Sequence, residues 1–512
     1  MQAKQLTIKV ILVGLIMSGL TQVVSAQQEL WRSYKDAGFV QYEAGNYVEA
    51  ERLTRLALTA AQSFNPEGHR VASTLNDLAR IYEAQGRYAE AEPIYGRSLE
   101  IMQRARGAYD SETAAVLNNL AGFYNWLGKG EQVIELYKRS LAATEAQNGP
   151  YDSNVANILN NLAIVYTDMD RFDDAAPLYN RSLSIMQNTY GTQHPEYATP
   201  LANVASFNTM QGKFDQADPL FKQALSIREI WLGKEHPDVA EIYNNLGFLY
   251  YQLGRYDEAE MLLKQATANW EKVLGLDHAY TGFSLKTLGL VYRDTGKYDL
   301  AAESYARALA VFEKSLGPNH PNVAKLLQYT AELNFLQGQY EEAEPLLLRE
   351  LAIVEKNSGP DRAQATVPLK ALAELKRAQG KNDEAKAYYK RIYAIRERLV
   401  AVNPNDRNAL NDLAWMQATC PDDEFRDKTK AYDNANKAYQ LDRGQGSVYY
   451  HTLAAAYAEN GAYNQAQEWA AKAIAHTKSE RSKKIINDEI KVYQQRTPYR
   501  DDGKVLFIQR AI

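Results

Sequence analysis

Four histidines, His194, His236, His278 and His320, recur at intervals of 42 residues. Imidazole at a fixed interval raises the question of metal ligation, because a neutral ring nitrogen is a common zinc ligand. One ion needs its ligands about 2 Å away. A spacing of one whole repeat puts each imidazole on its own loop, about 10 Å or more from the next across packed helices. The four are therefore expected to be loop and cap residues, with no metal and no cofactor. Other chemistry is equally thin. There is no HExxH and no GxSxG. The stretch GFYNWLGKGE offers glycines and a lysine, but Lys129 is followed by Gly130 rather than Ser or Thr, and the glycine spacing is wrong for a phosphate loop. Cys420 is the only cysteine; it precedes Pro421, with no His nearby, and reads as a structural thiol. The expectation is a chain that is not an enzyme.

A second residue type suits binding rather than reaction. HPDVAEIYNNLGFLYYQLGRYDEAE, residues 236–260, places Asn244 and Asn245 side by side in an apolar run. Asn gains nothing from burial unless it is hydrogen-bonded. The same two slots hold Asn118–Asn119, Asn160–Asn161 and Ala202–Asn203 upstream. The second slot is thus Asn in four consecutive repeats: Asn119, Asn161, Asn203 and Asn245.

The elements that position these residues follow from the repeat. Gly212, Gly254, Gly296, Gly338 and Gly380 are 42 residues apart, with Gly86 and Gly128 upstream and Asp170 in the glycine place once. Gly45 precedes Gly86 by 41, and Gly461 is a late member. Within each repeat the apolar positions have helical spacing. Leu246, Gly247 and Tyr250 mark the buried stripe of a first helix; Tyr256, Ala259, Leu263 and Ala266 mark that of a second. A small residue recurs in the first helix (Ala79, Ala121, Ala163, Ala205, Gly247, Gly289, Ala331) and an alanine in the second (Ala50, Ala91, Ala175, Ala217, Ala259, Ala301, Ala343, Ala385). Small residues at fixed places let helix backbones approach closely, and the glycine between the helices supplies a left-handed turn. Pro195, Pro237 and Pro321 are expected at the start of first helices, and Pro93, Pro177, Pro219 and Pro345 in the first turn of second helices. Acidic residues of YDEAE and YEEAE suit a helix N-terminus. Each repeat is a helical hairpin, and stacked hairpins bury a continuous core. A repeated Tyr position also explains 35 tyrosines against 13 Phe and 6 Trp.

These residues carry a resemblance. Leu246–Gly247, Tyr250, Gly254, Tyr256, Ala259 and Ala266 resemble the tetratricopeptide repeat. That repeat usually has about 34 residues; this one has 42. The HPDVA opening and the NNLG or NNLA run are similar to the kinesin light chain class, here of a bacterial exported type. The resemblance covers residues 30–400 well; LNDLAWMQATCPDDEFRD resembles a divergent repeat with an inserted turn. It implies an all-α, right-handed superhelical solenoid whose first helices line the concave side. It does not imply a motor-associated role, and the export signal argues against one.

On a helical wheel Asn244 and Asn245 flank the face opposite the buried stripe. Stacked, Asn119, Asn161, Asn203 and Asn245 form a ladder whose amides can pair with the main chain of an extended peptide. In the resembling family the matching place contacts ligand backbone, and that role is carried to these four. Hydrogen bonding between repeats, tightening the stack, is the competing use. Trp126, Ile164, Met210 and Phe248, with Asn157 and Glu241, are expected on the same face as pockets for apolar side chains, or as packing against the next repeat. Basic residues are sparse there, Arg80 and Lys325 being the exceptions, so a clamp for acidic tails is not expected. The ladder ends at Thr287, Tyr329 and Ala371.

The remaining organisation concerns export. Lys4 and Lys9 precede the apolar ILVGLIMSGL, and Val24 and Ala26 supply small-residue cleavage positions. Residues 1–26 are expected to be a signal peptide cut after Ala26. The apolar run is shorter than the about 20 residues of a spanning helix, which disfavours an uncleaved anchor. Loss of Lys4 and Lys9 leaves 56 basic against 63 acidic residues. That balance gives no reason to expect nucleic acid. Residues 27–400 are read as tandem repeats, 401–476 as divergent repeats, and 477–512 as a cap helix and tail. The tail KVLFIQRAI is expected to pack on the last helix as a cap, or to be a short recognition segment. The function expected is a periplasmic or secreted scaffold that binds a protein or peptide partner, with no small-molecule substrate and no integral membrane segment. The alternative is an assembly factor that docks on a folded envelope complex through its convex or C-terminal surface.

Overall fold

The computed structural model describes residues 25–42, 46–85, 87–126, 130–169, 171–443, 446–477 and 480–501. Residues 1–24, on which the expected signal peptide falls, the tail from 502 onward, and Gly45, Gly86, Gly128 and Asp170 lie outside the described residues, as does the side chain of Trp126. The chain is all-α, as expected, and forms two compact units, residues 1–204 and 205–512. The first contains α1 (25–42), α2 (Tyr47–Phe64), α3 (His69–Ala84), α4 (Tyr88–Arg106), α5 (Ser111–Trp126), α6 (Gly130–Asn148), α7 (Ser153–Asp168) and α8 (Phe172–Tyr190). The division falls inside α9 (Pro195–Met210). The second unit continues with α10 (Phe214–Leu232), α11 (Pro237–Gln252), α12 (Tyr256–Leu274), α13 (Ala279–Asp294), α14 (Tyr298–Leu316), α15 (Pro321–Leu336) and α16 (Tyr340–Ser358). It ends with α17 (Thr366–Ala378), α18 (Asn382–Val402), α19 (Arg407–Thr419), α20 (Lys428–Asp442), α21 (Ser447–Glu459), α22 (Tyr463–His476) and α23 (Glu480–Gln494). No described helix is long and apolar enough to cross a membrane.

The hairpins repeat with little variation because their ends are fixed chemically. First helices α11, α13 and α15 each have 16 residues, and second helices α12, α14 and α16 each have 19. Gly254 turns α11 into α12 at φ +72°. A second glycine, Gly275, ends α12 at φ +91°, ψ 163°, a region essentially restricted to glycine. Equivalent residues Gly107, Gly149, Gly191, Gly233, Gly317 and Gly359 also have positive φ. The hairpins α11–α12, α13–α14 and α15–α16 therefore each have one glycine inside and one leading to the next.

Pro237 and Pro321 open α11 and α15, as expected. Pro93, Pro177, Pro219 and Pro345 do not lie in a first turn. Each is the sixth residue of its helix and removes one internal hydrogen bond. In α8, α10 and α16 the carbonyl so released belongs to Asp173, Asp215 or Glu341, all at the exposed surface where water can reach it.

The recurring alanines of the second helices, from Ala50 to Ala385, are fully buried, and so are Ala79, Ala121 and Ala163 of the first helices. In the second unit glycine replaces alanine at 247 and 289. A Cβ on Gly247 would lie 2.8 Å from Leu263 Cγ, and one on Gly289 would overlap the ring of Tyr305, itself fully buried. First helices also approach one another directly: α3 with α5 and α5 with α7 in the first unit, α11 with α13, α13 with α15 and α19 with α21 in the second. They form the inner wall of each unit. Between α13 and α15 this wall holds a buried ion pair, Arg293 to Glu332 at 2.5 Å.

Gly289→Ala should destabilise the chain by about 1–3 kcal/mol, because the added methyl has no room beside Tyr305. Urea unfolding monitored by circular dichroism checks this. An unchanged midpoint would remove close backbone approach as the reason for glycine there.

Candidate functional site

The inner wall is built from two adjacent slots on each first helix, preceding the Leu–small pair that packs on the second helix. In the first unit these slots make hydrogen bonds between repeats. Asn119 Nδ2 donates to Asn76 Oδ1 at 3.2 Å, and Asn203 Nδ2 donates to Asn160 Oδ1 at 3.1 Å. Each bond joins the second slot of one helix to the first slot of the preceding one. Asn76 and Asn160 are buried, more deeply than a flank position suggested. Asn161 and Asn118 are half-buried, and Asn118 Oδ1 is sequestered without a hydrogen-bond partner.

In the second unit Asn244 Nδ2 donates to Asn245 Oδ1 of the same helix at 3.1 Å, and Asn244 Oδ1 has no partner. Of the apolar residues expected beside the ladder, Ile164 is half-buried in the first unit, and Phe248 is half-buried in the second with its ring 6.3 Å from Tyr251. Met210 is 52% exposed. Asn157 is exposed, and the exposed Glu241 is paired with the buried Arg228 at 3.0 Å.

Beyond Asn244 the first slot changes character. It holds Lys286 on α13, Gln328 on α15 and Lys370 on α17. Sequence reasoning followed the second slot, where Asn stops at Thr287, and so missed two lysines in register one residue earlier. Lys286 lies 5.3 Å from the ring of Phe283. Crowding by the surrounding wall, and the charge of Lys325, push its ammonium down to about 8. Lys325 Nζ donates to Gln328 Oε1 at 3.0 Å. The inner wall of the second unit is therefore cationic in places where a neutral amide face was expected.

A family profile described as the tetratricopeptide repeat matches residues 32–104, 112–188, 154–230, 196–272, 238–314, 285–356 and 327–398. The chain belongs to the tetratricopeptide repeat family. Among solved structures it is similar to the Rap protein complexed with Competence and Sporulation Factor, at 17% identity and TM-score 0.50, over 73% of this chain and 99% of that one. It is also similar to BtubC (BKLC) from P. vanneervenii, at 22% identity and TM-score 0.35, over 50% and 92%. A third is the set of nearly identical TPR-like repeats of a Podosopora anserina kinesin light chain candidate, at 25% identity and TM-score 0.34, over 40% and 98%. No protein with a curated description matches the chain.

The histidines of these tetratricopeptide repeats act as helix caps, as expected. Nδ1 of His194, His236, His278 and His320 accepts a hydrogen bond from the backbone N–H two residues on, at 3.1–3.3 Å. Asp152 and Asp110 perform the same duty one and two repeats before His194. Histidine thus replaces aspartate as an N-cap acceptor, which it can do only while Nδ1 is unprotonated. Among the described residues no group of His, Cys, Asp and Glu is arranged to hold a metal ion. Cys420 is buried, and burial pushes its thiol up to about 12, as suits a structural residue.

Burial lowers the His278 pKa from its ordinary 6.5. The unfolded chain therefore binds this proton more readily than the native one, so His278 contributes stability above about pH 6.5 that is lost as pH falls through the folded value. Thermal unfolding at about pH 7.5 and about pH 5.5 should show a smaller acid-induced loss for His278→Asp than for the wild type. Equal losses would refute the capping role of the neutral ring.

Proposed function

We propose that the chain is a non-catalytic scaffold that binds a protein partner by taking an extended segment of it on the inner wall of its first helices. The observation that carries this reading is the pair of unsatisfied first-slot amides, Asn118 Oδ1 in one unit and Asn244 Oδ1 in the other. A sequestered carbonyl without a donor costs about 1–3 kcal/mol, and a peptide N–H supplies what is missing. Asn119 and Asn203 hold the wall together through Asn76 and Asn160, while Asn118, Asn161, Asn244 and Asn245 are the amides proposed to meet the ligand. Ile164 in the first unit, and Phe248 and Met210 in the second, supply its apolar contacts. Lys286 and Lys325 favour a segment with acidic side chains in the second unit, since a carboxylate there would relieve their mutual repulsion. The lysines, apolar run and small residues of 1–26 support export, and with it an envelope or extracellular partner.

A second reading has one observation in its favour. Trp231 and Val273 occupy the same register of consecutive second helices and are 58% and 51% exposed. Such a pair could seat the chain on a folded complex through its outer surface.

Selection of displayed random peptides of about 12 residues on the full mature chain tests the first reading. Asn118→Ala with Asn161→Ala, or Asn244→Ala with Asn245→Ala, should weaken selected peptides by about 10-fold or more with the helix content unchanged. Affinity that survives both pairs would sink the groove reading. Loss of partner binding on Trp231→Ser with Val273→Ser would then favour docking through the outer surface.

A further inference from the structure

After α23 the chain turns at Arg496 (φ +54°), and residues 497–501 return without regular secondary structure across α21, α19 and α17. The Tyr499 ring lies 6.2 Å from that of Trp415 on α19, and the next two residues make the polar contacts. Arg500 Nη1 donates to Glu459 Oε2 on α21 at 2.6 Å and to the Ala418 carbonyl on α19 at 3.1 Å. The Asp501 N–H donates to the Thr419 carbonyl at 2.9 Å. Asp501 Oδ2 accepts from Lys370 Nζ on α17 at 2.5 Å and from Trp415 Nε1 on α19 at 2.9 Å. Asp501 is only 4% exposed.

The receiving side chains occupy inner-wall slots. Leu413–Ala414 and Leu453–Ala454 match Leu246–Gly247, which fixes the register. Lys370 then stands in the slot of Asn244, Trp415 in that of Phe248, and Glu459 in that of Gln252. A main-chain hydrogen bond, a charge-assisted contact at each end and an indole donor are what a docked peptide makes.

We propose that Tyr499–Asp501 is a built-in ligand of the inner wall. The stretch α17–α21 is an Arg–Asp recognition site closed in cis, and a partner segment carrying that pair reaches it only by displacement. This rests on the reading of the inner wall as a peptide surface. The closed state is held but incompletely satisfied, which makes exchange feasible. Asp501 and Arg396 line one cavity, and Asp501 Oδ1 and Arg396 Nε both lack a hydrogen-bond partner. The Glu374 carboxyl lines the same cavity, and burial together with the charge of Asp501 pushes it up to about 7. An acidic neighbour therefore opposes the bound aspartate even as Lys370 holds it.

The test uses the full chain and a fluorescein-labelled peptide of residues 496–504, RTPYRDDGK. The wild-type chain should bind it weakly. Asp501→Lys sets its own segment against Lys370 and should bind the peptide about 10-fold more tightly or better. Adding Lys370→Glu should close the segment again by the reversed pair and return binding to the wild-type level. A folded Asp501→Lys chain that binds no more tightly than the wild type overturns the proposal. Should that variant fail to fold, Asp501→Asn replaces it. Hydrogen exchange on the wild type gives an independent reading: the Asp501 amide should be protected, and exchange at the rate of a free peptide overturns closure. Failed random-peptide selection with a protected Asp501 amide would sink the general groove reading alone. Successful selection with an unprotected amide would sink only the closure.

Discussion

The structure depends on how closely two helix backbones can approach at one point in each hairpin. A side chain larger than a methyl at Ala79, Ala121 or Ala163, or opposite them at the alanines near the start of the second helices, would hold the pair apart. At 247 and 289 glycine stands, and even a methyl there would meet Leu263 or Tyr305 too closely. With the hairpin closed in this way, the apolar stripes meet along their length. The outer ends of the helices then fall where Gly254 and Gly275 can reverse the chain. The constant step of the repeat is a consequence of that contact and of the two glycine turns, so the first helices of each unit present corresponding residues to its inner wall.

Features tied to a single steric demand were legible in the sequence. Ala259 is fully buried and Gly254 turns at positive φ, so their spacing exposes the hairpin. Capping was legible for a related reason: His236 and its equivalents precede a proline or small residue at a helix start, in the place where Asp152 stands upstream. The prolines of the second helices were harder. Their position within the helix depends on where the first hydrogen bond forms, and Pro93 and Pro345 proved to lie one turn deeper than composition suggested. The lysines at 286 and 370 were obscured because they interrupt an amide pattern. The contact of Lys370 with Asp501 joins residues 131 apart in sequence, beyond the reach of any local pattern.

One slot of the inner wall shows three electrostatic solutions. Asn76 and Asn160 are satisfied by an amide from the next repeat. Asn118, Asn244 and Asn411 keep an oxygen without a donor. Lys286 and Lys370 replace the amide with a cation. The same geometry therefore serves cohesion in some repeats and leaves capacity for another molecule in others. This also separates the roles of the four ladder asparagines, which a sequence pattern treats alike.

The link between Lys370 and Asp501 has a further consequence for how the chain comes apart. A linear array of repeats loosens from its ends, because each hairpin leans only on its neighbours and the last has just one. The returning segment ties α17 to residue 501 and encloses α18–α23 in a ring of contacts. Fraying of α23 alone leaves that ring intact, and opening it requires several helices to give way together. The C-terminal repeats are thereby converted from a zipper into a single cooperative block, one that an incoming Arg–Asp segment could unlock at a single ion pair.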